Sequence, residues 1–267
     1  MATALETLFS KTRSENRAVL IAYLPAGFPS QQGCKNAIAA LKKAGVDAVE
    51  IGFPYSDPVM DGPTIQRAAS VSLQAGTGAP EVFSTLQFAH EIALPAVVMT
   101  YWNPIEKYGV DRFAKEIARN GGSGVITPDL TIEEAGEWAV AADAAGINSI
   151  YVVAPSTKPA RLAAVTKQCS GFVYAASLMG VTGTRTTISS GAKDLVTRIR
   201  DVTDLPVAVG LGVSTREQAR DLAGFADGVI VGSAFIKVLL DAKDEESGLV
   251  ALQALAEQLV AGVREGR

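Results

Sequence analysis

Short, nearly unbroken apolar runs rich in β-branched residues recur along the chain, most of them ending in Gly, Pro, Asn or Asp. They cover residues 19–25, 47–54, 95–103, 122–129, 148–155, 171–178, 205–212 and 228–234. Runs without polar alternation are the pattern of parallel strands covered on both faces. Between them, residues 31–44, 110–120, 131–144 and 159–169 read as helices. The later runs begin at residues 122, 148, 171, 205 and 228, which leaves room for one strand–helix unit each. Eight such units predict a closed (β/α)8 barrel of the α/β class, with an open eight-stranded sheet as the alternative. Extra helices are expected within 1–17, twice in the long connection 56–94 after the second strand, and at 235–240 and 248–263 after the eighth. No composition shift or linker divides residues 1–267, which read as one barrel domain.

Composition narrows the classes. The length of 267 residues is close to that of one such barrel, and 48% hydrophobic content can fill its core. A net charge of −4, with acids and bases interspersed, gives no electrostatic reason to bind nucleic acid or an anionic membrane. Only Cys34 and Cys169 occur, so a disulfide framework is not expected and a reducing cytoplasm is. Residues 1–17 mix Glu6, Lys11, Arg13 and Glu15 with apolar positions, unlike a signal peptide, and no run has the length of a membrane span.

Barrels of this kind work at the C-terminal ends of their strands, often with a phosphate held near strands seven and eight. Three glycine-bearing loops fall there: Gly180-Val-Thr-Gly183, Gly210-Leu-Gly212 and Gly232-Ser233, the last opening a short apolar helix. Any one of these glycines could simply serve a strand-to-helix turn. Three on consecutive strands, one leading into a helix N-terminus, point to a phosphate site.

The chemistry is constrained by what is missing. A Schiff-base aldolase needs a lysine facing the pocket, and none of the eight runs contains one. A metal-dependent aldolase needs clustered ligands, and the chain's one histidine, His90, lies in a helical pattern. No dinucleotide fingerprint follows the first strand. Carboxylates remain near strand ends: Glu50, Asp57, Asp61 and Asp129. Glu50 stands out because it lies inside an apolar run, where a charge is costly unless paired or neutralised. Burial would raise its pKa and suit it to proton transfer, although a structural carboxylate satisfied by nearby donors would fit the position equally. Asp61, before Gly62, would by itself be read as a turn residue.

The stretch Glu50-Ile-Gly-Phe-Pro-Tyr-Ser-Asp-Pro-Val-Met-Asp-Gly-Pro-Thr-Ile-Gln66 resembles the signature of the tryptophan synthase α-subunit family. Met99-Thr-Tyr-Trp-Asn-Pro104, Pro128-Asp-Leu130, Gly180-Val-Thr-Gly183 and Gly228-Val-Ile-Val-Gly-Ser233 are similar to that family in the same order. The resemblance implies cleavage of indole-3-glycerol phosphate to indole and glyceraldehyde 3-phosphate without metal or organic cofactor. It implies Glu50 as general acid–base and Asp61 as partner of the indole N–H. Gly183, Gly212, Gly232 and Ser233 match phosphate ligands. Tyr23, Met99, Tyr101, Ile126, Val153, Tyr174 and Leu211 match the indole pocket, Tyr23 and Leu211 standing where many relatives carry Phe. Thr182 matches a lid residue that contacts the aspartate.

A pyridoxal-phosphate β subunit is the implied partner, in an α2β2 complex, with Asp57 and Asn103 at positions that match the contact. Two alternatives share this sequence pattern: a stand-alone lyase that releases free indole, and a non-catalytic activator of a β subunit. The presence of both Glu50 and Asp61 argues against the second.

Overall fold

The computed structural model describes residues 2–176, 185–210 and 212–267, and in it eight parallel strands pair in chain order. They are β1 (Val19–Pro25), β2 (Ala48–Gly52), β3 (Ala96–Met99), β4 (Gly124–Thr127), β5 (Asn148–Val153), β6 (Val173–Ala176), β7 (Val207–Gly210) and β8 (Gly228–Val231). β1 pairs with both β2 and β8, so the sheet closes, which rules out the open alternative. The helices are α1 (Ala4–Ser14), α2 (Gln31–Lys43), α3 (Pro63–Gln74), α4 (Ala79–Glu91), α5 (Trp102–Tyr108), α6 (Val110–Arg119), α7 (Gly136–Ala145), α8 (Pro159–Thr166), α9 (Arg185–Arg200), α10 (Arg216–Ala223), α11 (Ser233–Asp241) and α12 (Glu245–Glu265). No helix among the described residues is long and apolar enough to cross a membrane.

Several boundaries differ from the sequence reading for local reasons. The run 95–103 is not all strand: β3 stops at Met99, and the Asp129 carboxylate accepts the Trp102 amide at 3.0 and 3.1 Å, starting α5 there. The helix expected over 131–144 begins only at Gly136, because Glu134 N–H donates to the Thr131 carbonyl and closes a turn first. The last helix starts earlier than 248, since Asp244 caps it by accepting the Ser247 amide at 2.8 Å.

Strand side chains alternate between barrel interior and helix layer. On β2, Val49 and Ile51 are fully buried on the face opposite Glu50. Each buried aliphatic of this kind contributes on the order of 2 kcal/mol. At the N-terminal end of the barrel, α1 forms a plug. Thr3 donates from its hydroxyl to Asn148 Oδ1 at 2.8 Å, Asn148 Nδ2 donates to Glu6 at 2.8 Å, and Phe9 packs on Phe172 at 5.6 Å between centroids. With that end filled, the chemistry-bearing residues lie at the C-terminal mouth.

Candidate active site

A cavity of about 230 Å³ occupies the C-terminal mouth. Its walls follow the two-residue period of the strands: Ile126 and Pro128, Tyr174 and Ala176, Gly210 and Gly212, Ile230 and Gly232 all line it in pairs. Glu50 points into it from β2 and Asp61 enters from the loop between β2 and α3.

Glu50 is 2% exposed, and among the described residues nothing hydrogen-bonds its Oε2. Burial, and next the negative charge of Asp61, push its carboxyl up to about 8. A carboxyl raised that far holds its proton at neutral pH. Asp61 is also raised by burial, but a hydrogen bond from Tyr101 works in the opposite direction. The Tyr101 hydroxyl accepts the Met60 amide at 3.1 Å and donates to Asp61 Oδ2 at 3.4 Å. The two carboxyls therefore lie in different surroundings: one is buried with an oxygen that no described residue hydrogen-bonds, the other has a phenol donor. This is the separation of roles that acid–base pairs exploit.

Gly212, just beyond β7, and Gly232 and Ser233, just beyond β8, line the same cavity. Ser233 opens α11, and no side chain caps that helix, which leaves first-turn amides and the positive end of the helix dipole for an anion. Gly183, expected with this group, lies outside the described residues, as do Thr182 and Leu211.

Tyr23, Met99, Ile126 and Tyr174, expected around an indole ring, all line the cavity. Tyr101 is not among the lining residues but reaches the site through its hydrogen bond to Asp61. Val153 lines a neighbouring groove with Leu130, Thr157 and Arg161, and Val152 lines both that groove and the cavity. A shift of one position on a strand reverses the face, and β5 carries no charged residue to mark which face is inward. Sequence reasoning also left out Met60, Ile65 and Pro128, which line the cavity. For Pro128 the signal was available, as it stands two residues beyond Ile126 on the same face.

On the rim, Asn103 Nδ2 donates to the Tyr55 hydroxyl at 3.2 Å, and Tyr55 stacks at 5.1 Å on Tyr101. Asp57 is exposed in the same loop as Tyr55, so the two residues expected at a subunit contact share one edge of the mouth. Among the described residues no group of three or more His, Cys, Asp or Glu could hold a metal ion.

Comparison with known proteins places this geometry in a family. A family model described as tryptophan synthase alpha chain matches residues 9–264. The tryptophan synthase alpha chain of Streptomyces avermitilis is 54% identical over 263 residues, covering 98% of this chain and 95% of the relative. That of Streptomyces coelicolor is also 54% identical, over 97% of this chain and 96% of the relative. Among solved structures, an open form of tryptophan synthase from Mycobacterium tuberculosis superposes with a TM-score of 0.91 at 45% identity, over 99% of this chain and 100% of that one. Tryptophan synthase subunit alpha from Legionella pneumophila does so with a TM-score of 0.90 at 30% identity, over 98% of this chain and 99% of that one. The chain belongs to the tryptophan synthase alpha chain family.

Proposed function

We propose that the chain, as a carbon–carbon lyase of this family, cleaves indole-3-glycerol phosphate with Glu50 as general acid–base and Asp61 as partner of the indole N–H. The observation that carries the reading is Glu50: a buried carboxyl, one oxygen of which no described residue hydrogen-bonds, held up to about 8 at the wall of a cavity that is also lined by a helix N-terminus. The indole ring carbon that bears the side chain takes a proton from Glu50, and the ring becomes an indolenine with positive charge on nitrogen. Asp61, as carboxylate, accepts a hydrogen bond from that N–H and stabilises the charge. The Glu50 carboxylate then receives the proton of the adjacent chain hydroxyl. The oxygen forms the aldehyde carbonyl, the carbon–carbon bond breaks, and its electron pair returns to the ring nitrogen system. Indole and glyceraldehyde 3-phosphate result, and Glu50 is again protonated. The net change is one proton moved from oxygen to carbon, so the step needs neither lysine nor metal.

The amides at the start of α11, with Ser233, Gly232 and Gly212, hold the phosphate in this reading, and Met99, Ile126, Val152 and Tyr174 enclose the ring. The reading includes a β subunit as partner, contacted at the edge that carries Asp57 and Asn103, and a cytoplasmic setting. The test is indole release from indole-3-glycerol phosphate by the purified chain, then with a β subunit added. Slow release that the β subunit accelerates supports the complex. Fast release without any effect of the β subunit favours a stand-alone lyase, and no release in either arm contradicts the catalytic assignment.

A further inference from the structure

Tyr23 lies on β1 directly opposite Glu50 on β2, as its Cα register partner. Its ring crosses the mouth of the barrel between two glycines. A Cβ on Gly232 of the β8 end would stand 3.0 Å from Tyr23 Cδ1, and one on Gly52 of β2 would stand 2.7 Å from Cζ and collide with the hydroxyl. The ring thus rests on bare backbone at both ends. Gly232 adjoins Ser233 in the phosphate region, whereas Gly52 follows Glu50 on the same inward face of β2. One edge of Tyr23 therefore faces the anion end, and its hydroxyl faces the acid–base end. The side chain lines the cavity and is 7% exposed. Burial, and after it the charges of Asp61 and Glu50, hold the phenol well above its ordinary pKa, so the hydroxyl keeps its proton and remains a donor. A phenylalanine would fill the same apolar volume, so packing alone does not call for that oxygen.

We propose that Tyr23 is a positioning residue whose hydroxyl donates a hydrogen bond to the hydroxyl-bearing chain joining the phosphate to the ring of the substrate. The proposal rests on the reading of the substrate as indole-3-glycerol phosphate. That chain must run from Ser233 towards Glu50, the interval that Tyr23 spans; the side chains of Met99, Ile126 and Ile230 lining the cavity offer it no donor, and the hydroxyl of Tyr174, the other phenol in the lining, lies against Gly210 of β7 rather than beside Gly52. A bond at this point would fix the chain hydroxyl whose proton Glu50 removes.

The test compares Tyr23→Phe with wild type in the full chain, using the substrate and an indole-3-alkyl phosphate of the same length that lacks both chain hydroxyls. The expected result is a loss of roughly 3- to 10-fold in kcat/KM for the substrate, the size of one net hydrogen bond, with affinity for the deoxy analogue unchanged within about twofold. Equal losses for substrate and analogue would show that the residue only packs, and overturn the proposal. No loss for either would overturn it as well. A wild-type chain that binds the analogue but cleaves no indole-3-glycerol phosphate would contradict the functional reading itself, and the proposal would fall with it.

Discussion

The hydroxyl of Tyr101 lies 3.4 Å from the Asp61 carboxylate, and the same oxygen accepts the amide of Met60 at 3.1 Å. A residue just beyond β3 therefore holds two successive positions of the loop that follows β2. Because Asp61 sits in a loop, its direction depends on this phenol more than on the strand that precedes it. Tyr101→Phe is expected to lower kcat by about tenfold while the ring stacking on Tyr55 persists. The pH profile separates this from general damage. Tyr101 lowers the Asp61 pKa against the effect of burial, so its loss should move the acid limb of kcat/KM, where Asp61 must ionise, to higher pH. A uniform drop with no shift of that limb would mean that Tyr101 supports only the loop.

Ser233→Asp places a negative charge at the first turn of α11, where the phosphate should sit. Repulsion acts on bound substrate and transition state alike, so KM should rise at least about tenfold while kcat changes little. Steady-state kinetics on a folded variant checks this, and an unchanged KM would remove the β8 end from the phosphate site.

Much of this architecture was legible in the sequence because parallel barrel strands are buried on both faces and appear as continuous apolar runs. Glu50 was legible for the same reason, as a charge inside such a run. Its relation to Tyr101 and Asp61 was not, because it depends on contacts between elements: a phenol beyond one strand meeting a loop beyond another. That Val152 and not Val153 lines the cavity has a different origin. A run that is apolar on both faces carries no period, so nothing local distinguishes the inward set on β5. The start of α5 was hidden because Trp102 extends the apolar run, while the group that starts the helix, Asp129, belongs to the next strand–helix unit.

Glu50 also has a signature in stability. Its folded carboxyl is raised to about 8 from an ordinary value of 4.5, burial contributing most and Asp61 next. A raised folded pKa means that stability is fully present below the unfolded value and is lost as pH rises through the folded one. Glu50→Gln carries no charge at any pH. The melting temperature of the variant minus that of wild type should therefore increase between about pH 5 and pH 8, by a few degrees. A difference that stays flat or decreases over this range would show Glu50 already ionised and stabilised as an anion.

The central claim is that Glu50 moves the proton that breaks the carbon–carbon bond. The rate of indole release by Glu50→Gln, measured beside a binding titration with the substrate, tests it most directly. The account predicts a rate about 10²- to 10⁴-fold below wild type with substrate affinity within about threefold, since an amide fills the same space but donates no transferable proton. A folded variant that keeps more than about half of the wild-type rate would contradict it and make Glu50 a structural residue.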